Sequence, residues 1–290
     1  MTSLLQFEWK RFFIRLYGLS FDADIFSRAA QVAFYFSFAI FPFIYFLISL
    51  FGLLLESSDS LRTELYTYMR QLMPPTVFDL VKKTMDEIVA NSTGGKVTFG
   101  LIVTLWSASA GVDSLRSALN AVYEQKESRM WLKTKAQSLF FTFVVTVLVA
   151  IVLGVVFYGW QLVQLGLAGV GLQVSSPWVL VTVQWIAILL VTLFACEVIY
   201  NLLPDFKEFH WIWINPGSVV AIILWIVLTM GFRFYLEYFN TYNKAYGSLG
   251  AMMVTMLWLY LISVALMVGG AINAVLHEMR SLRNEPPTHA

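Results

Sequence analysis

Apolar positions in this chain gather into long charge-free runs, and those runs predict its elements. Residues 29–55, 97–112, 136–196, 211–232 and 245–276 contain no Asp, Glu, Lys or Arg. A charge at mid-bilayer is costly, and about twenty apolar residues rising 1.5 Å each span roughly 30 Å of hydrocarbon. The third run is too long for one crossing and must fold back. Gly166, Gly169, Gly171, Ser175, Ser176 and Pro177 place its turn within 161–177. The runs predict six spans, near 29–55, 96–114, 136–160, 178–202, 214–235 and 247–275. Continuous runs, unlike short alternating ones, favour helices over a barrel. The expected fold is all-α, a polytopic integral membrane protein: a segment 1–28, a bundle of six transmembrane helices over 29–275, and a tail 276–290.

The flanking segments are amphipathic. Leu5, Trp9, Phe12, Phe13 and Leu16 recur at helical spacing with Glu8, Arg11 and Arg15 on another face, which describes a helix in the membrane interface or packed on protein. The first apolar run begins only at Ala29 and ends in Leu53-Leu54-Leu55-Glu56, so it is expected to stay as a span and not be cleaved as a leader. In 56–96, the stripes Leu61, Leu65, Tyr68, Leu72 and Val77, Leu80, Val81, Ile88, Val89 flank Pro74-Pro75 and predict an external amphipathic helical hairpin. It would fold back as a lid or lie on the headgroups. Tyr235, Tyr238, Phe239, Tyr242 and Tyr246 oppose Arg233, Glu237, Asn240 and Lys244, predicting a two-faced external helix: an aromatic belt, or the outer mouth of a cavity. Four Lys/Arg in 1–28 and five in 113–135, against none in 161–177, place the amino terminus inside, and six spans bring the carboxyl terminus inside too. This is the topology of a multi-pass protein of the bacterial inner (cytoplasmic) membrane.

Composition agrees with a membrane chain. Of 290 residues, 59% are hydrophobic and 13% charged, which excludes a water-soluble globule. The formal charge of +1 supplies no field for nucleic acid, and Cys196, the single cysteine, permits no internal disulfide. His210, His277 and His289 fall in no zinc-binding motif, and no tight carboxylate cluster exists, so neither a metal centre nor a cofactor is expected. Ser92-Thr93-Gly94-Gly95-Lys96 looks like the tail of a phosphate loop but lacks the upstream glycine.

Polar residues set into the spans then become informative. Arg28 and Gln31, Asp113 and Arg116, Glu197 and Asn201, and Asn273 are expected at one depth near the cytoplasmic leaflet. Glu197 is the only charged-type side chain in an apolar stretch that runs from 136 to 204, and must be protonated, paired, or open to a water-filled cavity. Arg28 and Arg116 are its candidate ion partners. Small residues at Ser107-Gly111, Ala110-Ser114-Ala118 and Ala265-Gly269-Asn273 predict close packing of the second and sixth spans. Pro42 is expected to kink the first span, and Asn215-Pro216-Gly217 reads as a helix start.

Several motifs are familiar when taken in order. Ser27-Arg28-Ala29-Ala30, Pro74-Pro75, Asp113-Ser114-Leu115-Arg116-Ser117-Ala118-Leu119-Asn120, Tyr200-Asn201-Leu202-Leu203-Pro204-Asp205, Pro216-Gly217, Tyr242-Asn243-Lys244-Ala245-Tyr246-Gly247-Ser248-Leu249-Gly250 and Asn273-Ala274-Val275-Leu276 resemble the YihY/BrkB family over residues 20 to 280. The resemblance implies a six-helix protein of the bacterial inner membrane. Members have been labelled virulence factors and, under an older label, a tRNA-processing ribonuclease; the missing metal site and weak basic charge argue against that chemistry here. The expectation is a non-enzymatic transporter or flippase-like protein for a lipid or other amphipathic solute, without a nucleotide site. Glu197, Asp113, Arg116, Arg28 and Asn273 would organise the inner end of its path, and Arg233, Tyr235, Tyr238 and Lys244 the outer end. The alternative is a non-catalytic assembly protein that binds membrane partners through its small-residue faces. An intramembrane hydrolase built on Ser107, Ser109 and Asp113 is a third reading.

Overall fold

The computed structural model describes residues 8–55, 63, 66, 67, 82, 95–168, 177–206, 215–238 and 241–284. Every regular element among them is a helix: α1 (Trp9–Asp22), α2 (Ile25–Leu55), α3 (Gly95–Val122), α4 (Trp131–Ala168), α5 (Pro177–Leu202), α6 (Pro216–Tyr238) and α7 (Thr241–Asn284). Stretches long and apolar enough to cross a membrane are Trp131–Val152, Val181–Leu202, Pro216–Tyr235 and Met253–Ser281, with Ile25–Ile40 a shorter apolar helix. The outward faces are apolar as well. Phe34 and Phe38 on α2, Phe140 on α4, Trp185 and Leu190 on α5, and Val227 and Met230 on α6 are all exposed, as suits side chains solvated by lipid.

The α2 helix packs against α3 and α7, α7 also against α6 and α1, and α4 lies between α3 and α5. The tightest core sits at one end of the bundle, here called the base. It joins the start of α2 (Ile25, Ala29, Val32), the end of α3 (Leu115, Leu119, Val122), the end of α5 (Tyr200), and the last turns of α7 (Met267, Ala271, Val275). Phe12 and Leu19 of α1 are buried against this core, while Trp9, Phe13, Tyr17 and Phe21 form an exposed stripe. The amphipathic segment therefore packs on protein along one face and keeps a second, aromatic face outward.

Several boundaries differ from the sequence reading. The α3 helix continues eight residues past the predicted 114 because Leu115, Ala118, Leu119 and Val122 recur on one buried stripe, so inward packing outweighs the charges of Asp113 and Arg116. With α4 starting at Trp131, the expected 113–135 loop shrinks to 123–130. The aromatic segment 233–246 is not one separate helix: Tyr235 and Tyr238 continue α6, whereas Tyr242 and Tyr246 open α7. The α2 helix runs through Pro42 without ending. Of the predicted hairpin, Thr63, Tyr66, Thr67, Lys82 and the first residues of α3 are described; the hairpin otherwise lies outside the described residues, as do 1–7 and 285–290.

The small-residue faces are used differently from the expectation. A Cβ on Gly269 would stand 2.6 Å from the Gly217 carbonyl and 2.7 Å from the Ala221 Cβ, so the Ala265-Gly269-Asn273 face of α7 closes onto α6. Gly111 of α3 instead receives Phe36 and Ala39 of α2. Contact between α3 and α7 occurs lower down, where Leu119 meets Gly270.

Candidate functional site

Glu197 lies in the last two turns of α5, buried to 2% exposure. Its carboxylate is seated at the start of α6. Asn215 donates its backbone N–H to Oε1 at 2.8 Å and its side-chain amide to Oε2 at 2.6 Å, and Asn201 Nδ2 reaches Oε2 at 3.2 Å and the Glu197 carbonyl at 2.9 Å. Pro216 begins α6 with its ring at the position where no N–H is needed, and Gly217 N–H donates to Asn273 Oδ1 of α7 at 2.7 Å. The Glu197 carboxyl thus faces the amino end of a helix and takes its hydrogen bonds from amide donors. Neither expected partner engages it: Arg28 donates Nε to the Ala23 carbonyl at 2.9 Å, and Arg116 pairs with Glu127 and with Asp113 at 3.5 Å.

Asp113 and Arg116 belong to a second polar cluster. Asp113 Oδ2 accepts from Lys135 Nζ at 2.9 Å, and Oδ1 accepts from the Ser138 hydroxyl. Lys135, buried on α4, also donates to Ser109 Oγ at 2.6 Å and lies 4.6 Å from the Trp106 ring centre. Glu127 gathers Arg116, Arg129 and Asn120, while Asp205 accepts from the Ser128 backbone and hydroxyl at 2.7 and 2.6 Å. Burial alone would raise the Glu127 and Asp205 carboxyls. Hydrogen bonds from Arg129 and Ser128, with the nearby charges of Arg116, Arg129 and Lys133, outweigh it and hold both below the ordinary carboxylate range.

Beside the Glu197 seat a cavity of about 530 Å³ opens at the base. Asn201, Asn215 and Asn273 form its floor, Leu19, Val122 and Phe206 its walls, and Arg15, Glu124 and Glu278 its rim. The rim is shaped by the end of α3: Glu124 N–H returns to the Ala121 carbonyl at 3.1 Å and Gln125 N–H to the Asn120 carbonyl at 2.8 Å, a Schellman closure with Glu124 at φ 53°. Arg15 of α1 then bridges Glu278 at 2.8 Å and Glu124 at 3.2 Å. The Glu278 hydrogen bond outweighs desolvation and raises the guanidinium further above its ordinary value. Burial likewise raises the Tyr123 phenol, which stays neutral.

The base therefore holds Glu197 and Asn273 together, with Asp113 and Arg116 in a neighbouring cluster and Arg28 in neither. Arg233 and Tyr235 are exposed at the far end of α6, about 27 Å along the axis from Asn215; Tyr235 stacks on Phe232 with ring centres 6.4 Å apart. Tyr238 and Lys244 lie on α6 and α7, with side chains outside the described set. Sequence reasoning missed Lys135, Glu127 and Tyr123, because in a predicted loop they carry no signal of burial. Asn215 was legible as a cap, yet its second role toward Glu197 depends on α5 packing beside it. Among the described residues no group of three or more His, Cys, Asp or Glu stands ready to hold a metal.

Residues 20–290 match the sequence profile of the family described as Virulence factor BrkB. A Bacillus subtilis (strain 168) protein that carries the name ribonuclease-like protein YfkH is 33% identical over 265 residues, covering 91% of this chain and 94% of that protein. A UPF0761 membrane protein of Xanthomonas axonopodis pv. citri is 24% identical across 98% of this chain, and one of Tolumonas auensis 26% identical across 66%. The chain spans 63% and 62% of the length of those two relatives. No solved structure matches.

Proposed function

The chain belongs to the BrkB family of membrane proteins, and from that premise we propose that it is an inner-membrane transporter or flippase-like protein for a lipid or other amphipathic solute. The observation that carries the reading is the pairing of a buried carboxylate, Glu197, with a cavity at the same end of an apolar bundle. In this reading α2 to α7 each cross the bilayer, both termini and the base face the cytoplasm, and Glu197 is the proton-sensitive group. Asn273 organises the inner end, Asp113, Arg116 and Arg28 support it, and Arg233, Tyr235, Tyr238 and Lys244 mark the outer end.

The ribonuclease-like name of the Bacillus relative is not carried to this chain. The one guanidinium at the cavity rim is taken up by two carboxylates, which leaves a poor track for a phosphate backbone. The alternative, an assembly protein binding through small-residue faces, draws less support, since Gly111, Gly217 and Gly269 are filled by neighbouring helices of the same chain. The deciding experiment reconstitutes the protein in proteoliposomes and follows both fluorescent-lipid translocation and amine uptake against pH. Flux above empty vesicles, with a pH profile that Glu197→Gln flattens, is the expected result. An unchanged profile in the variant removes Glu197 from the mechanism, and no flux at any pH removes the transport reading.

A further inference from the structure

We infer that α1 is a membrane anchor lying in the plane of the leaflet at the base, with its aromatic side sunk about 5–10 Å into the boundary between headgroups and acyl chains. The partner is the lipid surface itself. This concerns how the chain sits in its membrane and does not depend on what the bundle carries.

Three sides divide the helix. At 3.6 residues per turn, Phe12, Leu16 and Leu19 fall together and pack against the core. On one flank of that packed side stand Trp9, Phe13, Ile14, Tyr17 and Phe21, each between 54% and 68% exposed, in an arc of roughly 140°. Ser20 also falls in this arc and turns its hydroxyl onto the Leu16 carbonyl at 2.7 Å, while Lys10 has a stem long enough to carry its ammonium back to the headgroups. On the opposite flank stand Glu8, Arg11, Arg15 and Asp22. Arg11 pairs with Glu8 at 3.5 Å, and Arg15 reaches over the cavity rim to Glu278 and Glu124, whose side chains are 41% and 60% exposed. The polar flank therefore meets water, and the apolar flank lies across the packed side from it. A helix with water on both flanks would be polar on both. The order polar, packed, apolar belongs to a helix at the edge of a bundle, between water and lipid.

Neighbouring features agree on the level. The Ala23-Asp24 link, with Asp24 N–H on the Phe21 carbonyl at 3.0 Å, leads from the aromatic arc into α2, whose outward row opens at Phe26 and continues through Phe34 and Phe38. Along the chain the arc thus runs into a face already solvated by lipid. Met130, Trp131 and Leu132, at the start of α4, are 77%, 67% and 65% exposed, and they follow the turn whose Glu124 is held by Arg15. Trp and Tyr rings favour the headgroup level, which puts this end of the bundle at the membrane boundary. Arg11 and Arg15 already face carboxylates, so apolar burial and not attraction to anionic lipid supplies the contact.

The test is site-directed spin labelling of the full chain in liposomes of neutral phosphatidylcholine. Phe13→Cys and Tyr17→Cys carry nitroxides on the apolar arc, and Arg11→Cys and Asp22→Cys carry them on the polar flank. All four positions are exposed, so no packed side chain is displaced; Cys196 is 6% exposed, and the parent chain treated identically is the blank. Power saturation reads collisions with oxygen, which concentrates in lipid, and with a neutral nickel chelate, which stays in water. The ratio of oxygen to chelate collisions is expected to be several-fold higher at the Phe13 and Tyr17 positions than at Arg11 and Asp22, at low and high salt alike. Equal ratios on the two flanks would overturn the anchor, and so would a difference that vanishes at high salt. Dipolar broadening between labels on the arc would assign it to a second copy of the chain and overturn the lipid contact. A surface kept for a partner protein would stay in water in the purified chain, and the frequent chelate collisions this gives at Phe13 and Tyr17 would overturn it too.

Discussion

Asn215 donates its backbone N–H to one oxygen of Glu197 and its side-chain amide to the other, at 2.8 and 2.6 Å. One residue thereby starts helix α6 and seats the buried carboxylate of α5, so the geometry of the charge and the packing of two helices are a single structural fact. Replacing the carboxyl must disturb both.

Glu197→Gln puts an amide N–H₂ against donors that the carboxylate accepted. The expected cost is about 1–3 kcal/mol, from one lost charge-assisted bond and one donor facing a donor. Asn215→Ala removes one of the same contacts and the cap, and is expected to cost about 1–2 kcal/mol. Thermal unfolding in detergent measures both. Because the two changes share contacts, the double variant should lose less than the singles combined; strict additivity would show that the seat is not a unit.

Close approach of α6 and α7 depends on two glycines. Gly269→Ala would drive a Cβ to 2.5 Å from the Tyr200 hydroxyl and 2.6 Å from the Gly217 carbonyl, so the helices must separate. A loss of about 1–3 kcal/mol is expected. Gly231, on the same helix α6 with nothing within 4 Å, is the control: Gly231→Ala should be neutral or stabilising by up to about 1 kcal/mol. Equal melting temperatures for the two variants would contradict the packing described.

The Lys135–Asp113 pair is buried on the lysine side, with side-chain exposures of 10% and 28%. Lys135→Met leaves Asp113 with Ser138 and with Arg116 at 3.5 Å, and the expected loss is about 1–3 kcal/mol, below that of a dry pair because Asp113 stays partly solvated. Adding Asp113→Asn should recover part of it. A double variant as unstable as the two losses summed would rule out coupling between these side chains.

Acid should loosen the 123–130 turn before it unfolds the bundle. Glu127 and Asp205 are held below their ordinary range in the folded protein, so their contribution is complete above the unfolded values near ~4 and is lost as pH falls through the lower folded values. Hydrogen exchange is expected to show rising exchange in 123–130 below about pH 4, while the apolar runs of α5 and α6 remain protected. Exchange in this turn that is flat across that window would separate the two carboxylates from its stability.

What the chain's residues decide alone is the presence and approximate extent of its helices, since charge-free runs of this length have few other solutions in lipid. The start of α6 at Asn215-Pro216 was legible from its cap residue and first-turn proline. Local pattern could not show that α3 continues to Val122, because that extension is held by burial against α2 and α7 and not by an apolar run. Nor could it separate one expected polar cluster into two. That division arises because helix α6 brings its amino terminus to Glu197, satisfying the carboxylate with amide donors, while Lys135, placed by α4, takes Asp113. Which partner a buried charge chooses depends on which helix ends meet, and only the tertiary packing sets that.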